Sequence, residues 1–411
     1  VYPLACGAAI NAIAATIRGS DCGDPFDPQD YLAGYVLERF SKRKIVGAGK
    51  LVAGSFEQPT EELIEAFRTA HEWRGAHVPP MRAMRSELGK LARKIEPYPL
   101  TAARLKRMAS IRRKLKRGNR TLYQIQDISG CRVILNKMES VDALTKRYVE
   151  DLASAHELID QDDYLAEPKR DGYRSRHLVL KYDGPEEETA GNRLVVELQI
   201  RTRMQHAWAT AVEAVGFVRK ENLKAGEGSA DWLRLFQLMS GEIAAMERCP
   251  IPSCCSTKER ERREEVRHLD RKLGAIRSLE SYNQAMWHAE NYVGLKGVSY
   301  LIQFDVESQQ VIVKQYSQYR RAARQYANAE MFSDGNNNAV LVEVDGLAEL
   351  KSAYPNYFLD VSEFVKGLKV AVHGTAFVIP QRPDPIDPKR ERPSRWGDLS
   401  FLEKWKSLGR P

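Results

Sequence analysis

Cysteine is scarce, at six residues in 411. That is too few, and too unevenly spaced, for a disulfide scaffold. Cys249, Cys254 and Cys255 cluster, with His268 beyond them. Adjacent cysteines without a second well-spaced pair make a poor tetrahedral zinc site. No stretch reaches the eighteen apolar residues of a membrane-spanning helix. Val1 to Ile17 is apolar but interrupted by Asn11 and not preceded by a basic run, so it reads as an extension or a weak helix. The expectation is a cytoplasmic protein in a reducing compartment, with no membrane partner. No internal repeat is legible. Acidic residues are missing altogether from residues 101–120, which hold nine lysines and arginines.

What is present fits a folded chain. Hydrophobic residues make up 43% and charged residues 29%, enough for one large core or two modest ones. The net charge of +8 and pI near 9.0 favour an anionic partner. Nucleotides, nucleic acid and an acidic protein fit that balance equally.

Periodicity places the elements. Tyr31 to Phe40 reads as a short amphipathic helix, and the charge and glycine of SKRKIVGAGK break it. Thr60 to Trp73 reads as a helix with Glu61 and Glu62 in its first turn. Met81, Met84, Leu88, Leu91 and Ile95 then form one stripe at helical spacing, which packing alone explains. Strand signals follow at Arg132 to Leu135, His177 to Tyr182 and Leu194 to Ile200, with a helix expected over Val141 to Asp160. Helices are expected again over 204–217, 231–247 and 258–272. After Tyr300 alternation returns, predicting a hairpin, a helix over 316–329, a strand over 340–344 and a helix near 347–354. The pattern is α/β (α+β), a mixed sheet flanked by helices with a small α+β C-terminal region that is either a second domain or a sheet extension.

The basic run is ordinarily a solvated face. Read as a helix, however, it sets Arg104, Lys106, Ser110 and Lys114 on consecutive turns, giving cations and a hydroxyl a common direction that a polyphosphate would use. Glu197 lies in VVELQI, where polar residues alternate with Val196, Leu198 and Ile200; Asp127 precedes an earlier strand. Adjacent strands would bring the two carboxylates to one ion, although a turn aspartate and a solvent-facing glutamate are the plain alternatives. Gly172 permits a tight loop before Tyr173.

Four blocks in order, RLKRMASIRRK (104–114), IQDISGCRVI (125–134), YLAEPKRDGYRSRH (164–177) and VELQIRTRMQHAW (196–208), resemble the nucleotidyltransferase-like synthetase domain of the RelA/SpoT family. WRGAHVPP (73–80) is similar to a helix that leads into it, and together these segments cover about a third of the chain. The resemblance implies a domain over 59–222, after an extension (1–58) and before a helical segment (223–298), the C-terminal region (299–380) and a tail (381–411).

It also implies residue roles. Arg104 stacks on adenine and meets the donor phosphates, with Lys106, Ser110 and Lys114 in the remaining ATP-binding positions. Asp127 and Glu197 are the catalytic acidic pair that holds Mg²⁺. Tyr173 stacks on the acceptor base, with His177, Gln199 and Arg201 along the acceptor wall. The implied reaction is 3′-pyrophosphorylation of GDP or GTP by ATP, making (p)ppGpp-type alarmones, with Glu197 or a metal-polarised water aligning the 3′ hydroxyl.

Two rival readings stand beside this one. A toxin-like relative would act on the tRNA 3′ CCA end or on adenosine nucleotides, and an idle domain would serve as a nucleotide sensor or protein-binding module. No adjacent His-Asp pair precedes Arg104, so the hydrolase of bifunctional relatives is not expected. Possible partners are a second copy of the chain or an antitoxin.

Overall fold

In a computed structural model the described residues are 40–54, 60–282, 287–289, 299–305, 310–326, 337–344 and 350–374, apart from 119, 151–155, 186–188, 190–191, 220, 317, 320, 324, 351–352 and 355–359. The helix expected over Tyr31 to Phe40, except Phe40 itself, and the tail from 381 lie outside the described residues.

The helices are α1 (Lys42–Ala53), α2 (Glu61–Gly75), α3 (Val78–Arg93), α4 (Met108–Lys116), α5 (Met138–Val149), α6 (Arg203–Arg219), α7 (Ala230–Met246), α8 (Glu259–Leu273), α9 (Ala275–Tyr282) and α10 (Ser362–His373). The strands are β1 (Leu100–Leu105), β2 (Ser129–Leu135), β3 (Glu157–Asp163), β4 (Arg176–Lys181), β5 (Val195–Thr202), β6 (Trp287–Ala289), β7 (Ser299–Asp305), β8 (Gln310–Tyr316) and β9 (Asn337–Glu343). All nine lie in one mixed sheet, in the order β3-β4-β5-β2-β1-β9-β7-β8-β6. The pairings β2–β5 and β6–β8 are parallel and the others antiparallel.

Period-two alternation sorts the central strands. One face carries Leu105, Cys131, Val133, Leu178, Leu198 and Ile200, which pack with Met81, Met84 and Leu88 of α3 and Val141 and Leu144 of α5. The other is covered by α6, whose Trp208 joins Phe236 of α7 and Phe364 of α10 in a separate helical core. Farther along, Leu100, Ala102 and Ile134 share a core with Tyr300, Ile302, Val340 and Val342, so the strands after Ser299 continue the same sheet.

Several sequence expectations are corrected. Residues 100–105 form β1 before the chain turns into α4: of the four residues placed on consecutive turns only Ser110 and Lys114 lie on that helix, and a strand and turn carry Arg104 and Lys106. The small Ala102 and Ala103, both buried, suit a central strand between close neighbours. The helix expected over Val141 to Asp160 ends at Val149, and residues 157–163 form β3. That strand is mostly exposed and acidic, so it lacks an apolar period. Lys42–Ala53 is a helix capped by the Ser41 hydroxyl despite its two glycines. Gly49 is needed there, because a Cβ would stand 2.6 Å from the Cβ of Leu122.

His77, just before α3, sits wholly within the core. Its Nδ1 donates to the Trp73 carbonyl at 2.8 Å and its ring stands edge-on to the indole. Burial pushes its pKa down to about 4, against the smaller opposing effect of the Trp73 carbonyl, so it folds as neutral imidazole. The unfolded chain takes up a proton below about pH 6.5. Stability from this group is therefore complete above that pH and drains away as the pH falls toward 4, by up to roughly 3 kcal/mol. The urea midpoint of the wild type should fall between about pH 7 and about pH 4.5. In His77→Gln it should fall less steeply.

Candidate functional site

The polar residues of the central strands share the face opposite α3 and α5. Register makes two rows of them. Arg104 pairs with Gly130 and Gly130 with Glu197; in the next row Arg132 pairs with Gln199 and Gln199 with His177. These rows form the floor of a cavity of about 680 Å³, within the range of small-molecule sites. All the sequence-predicted residues except Ser110 line it. Ser110 lies in the first turn of α4, where its amide donates to the Arg107 carbonyl.

One end of the cavity is organised by Asp127. Its two carboxylate oxygens accept from Lys106 Nζ at 2.8 Å and Lys114 Nζ at 3.0 Å. Burial alone would raise its pKa, but the two ammonium groups hold it down at about 2. Lys106 is lowered as well: burial lowers it and outweighs Asp127, with Lys114 and Arg104 adding to the fall. Two ammonium groups thus converge on one carboxylate, with Arg104 close enough to act on Lys106, leaving a cluster with positive charge to spare.

The other end is a chain of side chains. The Tyr173 hydroxyl lies 2.9 Å from His177 Nε2, His177 Nδ1 lies 3.1 Å from Glu197 Oε1, and Gln199 Nε2 donates to Glu197 Oε2 at 2.8 Å. Burial would lower the His177 pKa, yet the Tyr173 oxygen and Glu197 raise it to about 9. Burial would raise Glu197, but His177 brings it below the usual carboxylate range, while Asp127 opposes as a like charge. The two carboxylates therefore sense each other across the floor. Arg201 donates to His206 of α6 and is lowered by burial and by Arg132.

The loop carrying Tyr173 is fastened from outside. Ser240 Oγ donates to the Gly172 carbonyl at 2.6 Å, Gln237 to Arg170, and Arg174 to the Pro250 carbonyl. The residues missed by sequence reasoning cluster here and on the floor. Lys169 places its ammonium 4.0 Å from the Tyr164 ring centroid and 5.3 Å from that of Tyr173. Arg132 and Glu213 also line the cavity. Lys169 and Arg132 stand inside the blocks already singled out; their alternation and loop position were the available signals.

Among the described residues no group of three or more His, Cys, Asp or Glu side chains is arranged to hold a metal ion. The pair Asp127 and Glu197 nevertheless fits Mg²⁺, a hard ion that keeps several waters and takes one or two carboxylates plus substrate phosphates instead of a full protein cage.

Residues 103–220 match the family described as "Region found in RelA / SpoT proteins". This stretch is a RelA/SpoT-type region. Among curated relatives, GTP pyrophosphokinase YjbM of Bacillus subtilis (strain 168) is 29% identical over 178 residues, covering 41% of this chain and 72% of that protein. GTP pyrophosphokinase of Escherichia coli (strain K12) is 29% identical over 167 residues, covering 39% of this chain and only 21% of that protein. Small alarmone synthetase 1 from Bacillus subtilis, solved with its product pppGpp, is 25% identical with a TM-score of 0.37, covering 43% of this chain and 92% of that one. The RelA/SpoT stretch thus contains the second half of β1, all of β2, β4 and β5, and α6, which supply most of the cavity's lining. Among the described residues, no helix is long and apolar enough to cross a membrane.

Two glycines separate the roles of floor and frame. Gly130 lies in a strand with nothing nearer than 3.9 Å to an added Cβ, so Gly130→Val should keep its unfolding midpoint while filling the floor and weakening nucleotide binding. Gly172 has φ +93° and would press a Cβ to 3.1–3.3 Å from Ser240, Trp208 and Gln237. Gly172→Ala should therefore lose about 1–3 kcal/mol in urea unfolding.

Proposed function

We propose that this RelA/SpoT domain transfers pyrophosphate from ATP to the 3′ hydroxyl of a guanosine nucleotide, GDP or GTP. The observation that carries the reading is the juxtaposition across one bare floor. The pair of lysines on Asp127, with Arg104 beside Lys106, stands at one end, and the Tyr173–His177–Glu197 chain at the other. A polyphosphate needs the first, and a stacked base with an oriented ribose needs the second.

In this reading Lys106, Lys114 and Arg104 take the donor phosphates, and the lysines exchange Asp127 for phosphate oxygens as ATP enters. Asp127 and Glu197 would then hold Mg²⁺, which when bound neutralises charge on the transferred group. Tyr173 stacks the acceptor base, with Lys169 and His177 beside it. The acceptor 3′ oxygen attacks the β-phosphorus of ATP in line, and the bond from that phosphorus to the α–β bridging oxygen breaks. AMP leaves, the pyrophosphoryl group moves as a unit, and the hydroxyl proton departs to solvent. Glu197, lowered by His177, is a weak base and suits orienting that hydroxyl better than removing its proton. Most of the acceleration comes from positioning and charge stabilisation.

A second acceptor class is favoured by one observation. Arg117 and Arg120 line the cavity and are exposed, and Arg113 and Lys116 are exposed beside them, more positive charge than one nucleotide requires. An RNA 3′ end would use these groups along its backbone. Incubation with Mg²⁺, ATP labelled at its β-phosphate and, separately, GDP, GTP, GMP, ATP alone or deacylated tRNA distinguishes the classes. Label on a guanosine nucleotide supports the reading, whereas label only on tRNA or adenosine nucleotides, or on nothing, overturns it. Asp127→Asn and Glu197→Gln should each lower transfer by at least ~10²-fold. Their circular dichroism should remain that of the wild type, and full activity in either would refute the assigned metal-holding roles.

A further inference from the structure

The RelA/SpoT match covers residues 103–220, yet the chain after Ser299 reaches the donor end of the cavity. Arg74, at the end of α2, is almost fully buried. Its Nε donates to the Lys106 carbonyl at 2.8 Å, and its Nη2 donates to the Tyr326 hydroxyl at 2.9 Å. The guanidinium also lies 5.0 Å from the centroid of the Tyr326 ring, which is itself buried. Tyr326 comes from a helical segment between β8 and β9. Lys106 stands in the turn from β1 to α4, where its amide donates to the Ile128 carbonyl at 2.7 Å, one residue beyond Asp127. The Lys106 backbone is therefore held from both sides, by the strand-leading Ile128 and by a fork anchored on the C-terminal region.

A second contact repeats the pattern. Arg132 Nη1 donates to the Ala353 carbonyl at 3.4 Å, and its guanidinium lies 5.8 Å from the Tyr354 ring centroid. Tyr354 lines the cavity.

We propose that Tyr326 and Arg74 are positioning residues that set the Lys106 turn, so that the C-terminal region is a built-in part of the donor half of the site. Neither side chain touches the nucleotide. Arg74 acts through a backbone carbonyl, and Tyr326 fixes the fork's plane by a hydrogen bond at one prong and ring contact at its face. A lysine has no such fork, and a phenylalanine keeps the ring contact but loses the hydrogen bond. The consequence for catalysis rests on the pyrophosphotransfer reading above; the consequence for the backbone does not.

The test uses the full chain with Tyr326→Phe and Arg74→Lys. Hydrogen–deuterium exchange reads the turn without any nucleotide. Amides of residues 104–110 should exchange faster in both variants, while those of β4, at the acceptor end, should keep the wild-type rate. Steady-state kinetics then read the function. The KM for ATP should rise by about threefold to tenfold, with the KM for the guanosine acceptor unchanged. Unchanged exchange at 104–110 in both variants overturns the proposal. So does a rise that spreads equally over the turn and β4, or over both KM values, since that is general loosening. A wild-type protein that transfers nothing from ATP overturns the pyrophosphotransfer reading instead, and the exchange data still decide whether the strut exists.

Discussion

Everything at the cavity depends on the parallel pairing of β2 with β5. Parallel neighbours run in the same direction, so the residues that lead into them meet at one end of the sheet. Gly130 falls opposite Glu197 in that register, and Asp127 enters three residues earlier on the same side. A slip of β5 by one residue would turn Glu197 and Gln199 toward α3 and send Leu198 into the cavity. Burial of the apolar set between α3, α5 and the sheet thus fixes the register, and the register fixes which charges face one another. The energy that orders the site comes largely from residues that never meet a nucleotide.

The charged groups themselves contribute little stability and much preorganisation. Lys106, Lys114 and Asp127 are partly exposed, so their ion pairs are worth no more than about 1 kcal/mol apiece. What they provide is a poised exchange. In the proposed reaction an arriving phosphate would offer the lysines the same kind of partner that they give up, and Asp127 would be released with its charge intact. At the other end His177 binds Tyr173 and Glu197 with its two ring nitrogens, fixing both without a covalent link. Gly130 leaves the floor between them empty.

How much of this the sequence disclosed follows from what each segment buries. Strand β5 was plain because VVELQI alternates one buried and one cavity-facing residue, and α3 because its methionine and leucine stripe faces a single sheet. Strand β1 was lost inside the basic run, since LTAARL has small, low-contrast residues and the charges after it dominate the pattern. Strand β3 was lost for the opposite reason: an acidic edge strand has no buried face to announce it. The four motif blocks carried the cavity's cast of residues. The clasp of two lysines on Asp127, the contribution of Lys169 and Arg132, and the position of Ser110 away from the lining depend on strand order and turn geometry, which no local pattern encodes. The choice between a second domain and an extension of the sheet was equally out of reach, because alternation tells that a strand exists and not which neighbour it joins.

That continuation rests on a narrow seam. Strands β1 and β9 meet through a single paired position, Ala103 with Glu343, reinforced by the forked contact of Arg82 with the buried Glu343 carboxylate. Beneath the seam, Leu100, Ala102 and Ile134 are covered by the C-terminal strands. A fragment ending where the family-matched stretch ends, at residue 220, would present β1 as a bare hydrogen-bonding edge flanked by wetted apolar side chains, the arrangement that invites strand addition between molecules. In this chain the border of the recognisable domain is not a border of the folded unit, and the cover over β1 comes from the longer piece.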